Sequence, residues 1–183
     1  MGRKISNMKV QEVMTASSLK YCSPSTKLHV AAKAMKIANC GVLPVVDRNK
    51  KIVGIITDRD ICLSLAHTLN KPMNDRNVGD IISKEVHFVN VNDDLTIALK
   101  QMRVNKVGRL PVVDRMGKLV GILSLHNLLS KMLDNKYEMG SLSDTGENFA
   151  KTIKALSDRY TLNDKMVGTL VTAGRSESWE EGM

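Results

Sequence analysis

"GVLPVVDRNKKIVGIIT", from Gly41 to Thr57, returns as "GRLPVVDRMGKLVGILS" from Gly108 to Ser124, 67 residues further on. Extended over Leu28 to Cys62, the two copies share fifteen identical residues, so the chain carries an internal duplication. Within each copy the hydrophobic period changes in the same order. Leu28, Ala31, Ala32, Met35, Ile37 and Ala38 fall at helical spacing behind Pro24, Ser25 and Thr26, which supply a start signal; Gly41 is expected to stop that helix. Val42 to Val46 and Ile52 to Ile56 are short strand-like runs around the turn Asp47 to Lys50, and a second helix is expected from Asp58 to about Leu69. The second copy predicts a helix near Leu95 to Val104, strands Leu110 to Val113 and Leu119 to Leu123, and a helix from Leu125 to Leu133. Each unit is therefore β-α-β-β-α, and the fold class is α+β.

One unit of about 60 residues has one apolar sheet face and too little core to stand alone. Two units can pack through their sheets, which predicts a single module with pseudo-two-fold symmetry and candidate sites in the clefts between copies. The expected organisation is a first repeat over residues 8–69, a linker over 70–77, a second repeat over 78–133, and an extension over 134–183. In that extension Phe149, Ile153, Leu156 and Tyr160 form one narrow apolar stripe at helical spacing, followed by an acidic tail. A lone helix of that length is marginal in water, so it is expected to dock on the module or across a dimer.

Composition narrows the functional classes. With 43% hydrophobic and 25% charged residues the chain has a globular balance, and it has no apolar run near the ~18 residues of a membrane span. The start "MGRKISNMKV" lacks the apolar core of a signal peptide, which makes the cytoplasm the expected location and a membrane partner unexpected. Cys22, Cys40 and Cys62 are odd in number, widely spaced and outside any CxxC pair, as neither a disulfide framework nor a zinc site would be. His29 and His67 stand apart from any metal-ligand spacing, and Met8, Met14, Met35 and Met102 are expected core fillers. No nucleophile-base pair or paired carboxylates can be assembled, so the chain is not expected to be an enzyme.

Thr57 to Asp60 is the informative stretch. A threonine leaving a strand with an acidic residue three positions on has the spacing of a capping box, which needs no ligand. The same geometry offers a phosphate the free N–H groups of a helix start, and offers a ribose a carboxylate able to accept both vicinal hydroxyls. Spacing alone leaves both readings open.

The pattern G-x-h-P-V-V-D followed by h-V-G-h-h-(T/S)-x-x-(D/N), preceded by "VQEVMT" (Val10 to Thr15) or "VGDIIS" (Val78 to Ser83), resembles the tandem cystathionine β-synthase (CBS) domain pair, the Bateman module of stand-alone prokaryotic proteins. The resemblance covers about 125 of 183 residues. It implies a regulatory module with an adenine nucleotide (AMP, ADP or ATP) as ligand; no prosthetic group is expected, and no metal, because no His/Cys/Asp cluster has metal-ligand spacing. It also implies that each cleft mixes the copies. The first is expected to join Thr57, Arg59 and Asp60 to His87, Phe88, Gly108 and Arg109. The second is expected to join Ser124, His126 and Asn127 to Tyr21, Cys22, Gly41 and Val42, a weaker set because Asn127 replaces the carboxylate and Val42 the arginine. A homodimer is expected, with the apolar run Leu128, Leu129, Met132 and Leu133 at its interface. The competing reading uses the net charge of +8: a protein-interaction or nucleic-acid-binding module whose ligand sites are vestigial. The regulated partner is unknown.

Overall fold

The computed structural model describes residues 8–67, 75–83, 85–133 and 147–157. The first repeat holds α1 (Leu28–Ala38), β1 (Val42–Val46), β2 (Ile52–Thr57) and α2 (Asp58–His67). The second holds β3 (Val89–Asn90), α3 (Leu95–Asn105), β4 (Arg109–Val113), β5 (Leu119–Ser124) and α4 (Leu125–Leu133). A further helix, α5, spans 147–157. The expected end of α2 at Leu69, most of the 70–77 linker, Tyr160 and the acidic tail lie outside the described residues.

β1 and β2 form an antiparallel hairpin, and β4 and β5 repeat it with the same register and the same irregularity after the fourth residue. The shared "VVDR" explains the turns. Asp47 Oδ1 accepts the N–H groups of Asn49 and Lys51, and Asp114 Oδ1 accepts those of Met116 and Lys118. The leading strand is unequal between copies: β3 runs parallel to β4, whereas its counterpart in the first repeat shrinks to one bridge between Cys22 and Val45.

Gly41 does not stop α1. The helix ends on Asn39, which takes the left-handed conformation (φ 48°, ψ 49°) and gives its N–H to the carbonyls of Lys36 and Met35. Lys106 does the same for α3 at φ 52°. At Gly41 a Cβ would sit 2.7 Å from Asp58 Oδ2, so a larger residue there would displace the Asp58 side chain.

The described residues form two cores rather than one. Leu28, Ala31, Met35, Leu43, Val45, Ile56 and Ile61 build the first, and Leu95, Ala98, Leu99, Met102, Leu110, Val112, Leu123 and Leu128 build the second. Each is completed from the other side of the chain. Met8, Val10 and Val13, which precede the first repeat, are buried in the second core, while Val78, Ile81 and Ile82, which precede the second repeat, pack into the first. Glycine makes this crossing possible. A Cβ on Gly54 would lie 2.6 Å from Ile82 Cδ1, and one on Gly121 would lie 2.6 Å from Met14 Sδ and 3.1 Å from the Thr15 carbonyl. Paired bridges record the symmetry: Lys9–Asp94 with Lys27–Asn77, Thr15–Ile122 with Ile55–Ser83, and Lys51–Lys118, which is its own counterpart.

Two expectations about apolar faces change. Leu128 is 2% exposed in the second core, so it offers nothing to a second copy; Leu129 remains 43% exposed, and the side chains of Met132 and Leu133 lie outside the described residues. On α5 the docked face is Phe149, Thr152 and Leu156, and Ile153 is left exposed. Thr152 is buried because its hydroxyl has carbonyl partners, at 2.7 Å on Asn148 and 3.3 Å on Leu99.

Candidate functional site

The strand-to-helix junctions are built first, by local hydrogen bonds. Asp60 Oδ2 accepts both the Thr57 N–H (2.8 Å) and the Thr57 hydroxyl (2.7 Å), and the Asp60 N–H returns to Thr57 Oγ1 (3.1 Å). This is a complete capping box at the start of α2. In the second repeat Asn127 Oδ1 accepts the Ser124 N–H (3.0 Å) and hydroxyl (2.6 Å), with the Asn127 N–H on Ser124 Oγ (3.1 Å). The cap therefore tolerates either residue. The difference lies in the remaining atom. Asp60 Oδ1 accepts no hydrogen bond from the described residues, whereas Asn127 Nδ2 donates to Thr15 Oγ1 at 3.1 Å.

Two cavities lie beside these junctions. The larger, about 510 Å³, is walled by Gly41, Val42, Pro44, Ile55, Thr57, Asp58 and Arg59 on one side and by Lys106, Val107, Gly108, Arg109, Pro111 and Ile122 on the other, with Leu156 of α5 at its edge. The smaller, about 270 Å³, is walled by Thr15, Ser18, Leu19, Lys20, Ala38, Cys40, Val42, Arg109, Ile122, Ser124, His126 and Asn127. Val42, Arg109 and Ile122 belong to both. Arg109 also borders a third hollow, about 490 Å³, against α1 and Asp58.

Of the residues expected in the first cleft, Thr57, Arg59, Gly108 and Arg109 meet on one cavity. Asp60 sits behind them in the cap. His87 and Phe88 precede β3 and are not among that cavity's walls; His87 Nε2 faces Glu85 Oε1 at 3.8 Å. Of the second set, Val42, Ser124, His126 and Asn127 meet on the smaller cavity. Gly41 instead walls the larger one, because its carbonyl accepts the Asp58 N–H and holds it against its own repeat. Cys22 is turned into the first core, with its N–H on the Pro44 carbonyl and burial pushing its thiol up to about 11. Tyr21 is exposed and not among the smaller cavity's walls.

The expectations omitted Asp58, Lys106, Leu156 and Lys20. Asp58 is legible in "TDRD" between Thr57 and Arg59, and Leu156 in the apolar stripe of α5. Lys106 and Lys20 carry no sequence signal, since a lysine in a turn or an irregular segment looks like any solvated charge. Electrostatically the larger cavity sets Arg59, Lys106 and Arg109 against one carboxylate, Asp58. The guanidinium groups of Arg59 and Arg109 make no hydrogen bond or ion pair with any described residue. Among the described residues no group of three His, Cys, Asp or Glu side chains is placed to hold a metal ion, and no helix is long and apolar enough to cross a membrane.

Known proteins match both the chain and its fold. The CBS domain model matches residues 10–67 and 78–134. The uncharacterized protein YlbB of Bacillus subtilis (strain 168) is 34% identical over 142 residues, covering 76% of this chain and 92% of that protein. CBSX2, from Arabidopsis thaliana, has been crystallised in complex with AMP; that structure is 30% identical with a TM-score of 0.61, over 69% of this chain and 97% of its own. The CBS domain pair of MJ0100, in complex with 5'-methylthioadenosine and S-adenosyl-L-methionine, is 25% identical with a TM-score of 0.58, over 68% and 95%.

Proposed function

The chain belongs to the CBS-domain family through both of its repeats, and from that premise we propose that it is a regulatory module, rather than an enzyme, that binds an adenine nucleotide (AMP, ADP or ATP) in its larger cleft. The observation that carries this reading is the meeting of Thr57, Asp58 and Arg59 from one repeat with Gly108 and Arg109 from the other on one cavity. The adenosyl ligands of the CBSX2 and MJ0100 structures support the ligand class. The Asp58 carboxylate on the cavity wall offers acceptors for ribose hydroxyls, and Asp60 Oδ1, behind it in the cap, is a further acceptor for a ribose that reaches the start of α2. The apolar wall of Val42, Pro44, Pro111 and Ile122 suits the adenine ring, and Arg59 and Arg109 suit the phosphate. A ligand that touches both repeats favours whichever relative placement closes its cleft, and that difference in affinity is the signal.

A thermal-shift series with adenosine, AMP, ADP, ATP and S-adenosylmethionine tests the class, since a ligand at a hundred times its Kd stabilises the native state by about 2.7 kcal/mol. Arg109→Ala should weaken AMP about tenfold, the worth of one charge-assisted hydrogen bond, and leave adenosine nearly unchanged. Equal loss for both ligands rejects a phosphate role. The net charge of +8 favours a second reading, binding of nucleic acid or an acidic protein; steeply salt-dependent retention without any nucleotide response would establish it instead. The assembled form we propose is a homodimer, because Leu63, Leu65 and Leu129 leave apolar surface on α2 and α4. Monomer mass in light scattering at micromolar concentration rejects it.

A further inference from the structure

The smaller cavity differs from the larger in chemistry as well as size. A ribose needs acceptors, and Asn127 has none left: both lone-pair directions of Oδ1 are taken by Ser124, and Nδ2 is a donor already turned to Thr15. No carboxylate lines the cavity. Three basic side chains do, beside the hydroxyls of Thr15, Ser18 and Ser124: Lys20 from the segment ahead of α1, Arg109 from the start of β4, and His126 from the first turn of α4. None of the three makes a hydrogen bond or ion pair with a described residue. Lys20 and Arg109, two cations from separate elements facing one hollow with no carboxylate among its walls, repel or idle unless an anion sits between them.

We propose that this cavity is a phosphate-class anion site with no carboxylate to hold a ribose, and that Arg109, standing in the wall common to both cavities, is shared between it and the larger cleft. The anion is either a free inorganic one or the terminal phosphates of a nucleotide seated in the larger cleft. The sharing rests on the nucleotide reading above; the anion site does not. An anion held at Lys20 draws the guanidinium to its own side, so a phosphate in the larger cleft loses it, while adenosine, which needs no cation, is indifferent.

The experiment is calorimetric titration of the full chain with inorganic pyrophosphate, then with adenosine, AMP and ATP in its presence and absence. Lys20 is exposed, so Lys20→Ala is expected to melt with the wild type and to bind pyrophosphate at least tenfold more weakly; His126→Ala serves as the second variant. Saturating pyrophosphate should weaken AMP several-fold and leave adenosine unchanged. If pyrophosphate alone does not bind but Lys20→Ala weakens ATP and spares AMP, the occupant is the nucleotide's own phosphate tail. Pyrophosphate and ATP binding unaffected by both substitutions overturns the site. Equal competition against AMP and adenosine overturns the sharing of Arg109. Failure of adenosine and AMP to bind at all removes the nucleotide reading while leaving the pyrophosphate titration to decide the anion site.

Discussion

Asp60 and Asn127 perform one local task and differ in what they leave over. Each fastens the start of a helix through a single side-chain oxygen, so Asp60→Asn should keep the cap of α2 and cost within about 1 kcal/mol. It should nevertheless remove the acceptor offered to a ribose and cut adenosine-nucleotide affinity. Calorimetry beside a thermal melt separates the two effects; normal binding with a melting point several degrees lower would mean that the motif only caps. Asn127→Asp runs the opposite way. The Thr15 hydroxyl can turn to donate to the new carboxylate, so stability should hold while adenosine gains a second site and pyrophosphate loses affinity. Cys22 gives a residue-level test of the first core. Burial raises its thiol above the ordinary value of 9.0 to about 11, so between those pH values the unfolded chain ionises and the folded chain does not. Its contribution is fully present below about pH 9 and is lost as pH rises through about 11. Cys22→Ala should show a shallower decline in stability across that window in denaturant titrations, although it is less stable at neutral pH. With a disulfide reagent the exposed Cys62 should react first and Cys22 last.

At the scale of elements, period and turn chemistry were enough for most of what is observed. α1 stands at the residues its apolar spacing picks out, and both hairpins follow from "VVD" and its turn. The failures have physical causes. Asn39 ends α1 because its short polar side chain tolerates the left-handed region, a property that looks unremarkable beside a glycine two residues on. The docked face of α5 departs from its apolar stripe because hydropathy spacing does not register that Thr152 is buried through its carbonyl partners. The candidate site was legible where it is local, in Thr57 to Asp60, and illegible where distant segments meet, as at Lys20 and Lys106. The glycine of each "VGI" also has a cause that only the assembled structure reveals. Strand propensity alone would favour Gly121→Ala or Gly54→Ala. The close approach of Met14, Thr15 and Ile82 predicts the reverse, a loss of about 1–3 kcal/mol from each by overpacking, or a melting point lower by several degrees. A differential scanning measurement on the two variants decides the sign.

For the whole molecule, the exchanged leading segments decide how stability is distributed. "VQEVMT" and "VGDIIS" announce apolar contact, but nothing in either stretch says which copy it will join, and chain order suggests the wrong one. Met8, Val10 and Val13 are each at most 6% exposed, and a buried aliphatic side chain contributes about 1.5–3 kcal/mol. Three together approach the whole stability of an ordinary domain, about 5–15 kcal/mol. Removing residues 1–15 should therefore abolish or broaden melting of the second repeat, although that repeat begins more than sixty residues later. A truncated chain that melts within a few degrees of the full one would show that the exchange adds little. Because each core borrows from across the molecule, the unit that was copied is not the unit that folds. A single copy written to this plan would have an arm without a home and a groove without an arm, and two such chains would satisfy each other about the axis now marked by Lys51 and Lys118. The present chain has the form of an arm-swapped pair made permanent by a peptide tether, which fixes the stoichiometry of its halves at one to one and leaves the two clefts free to diverge.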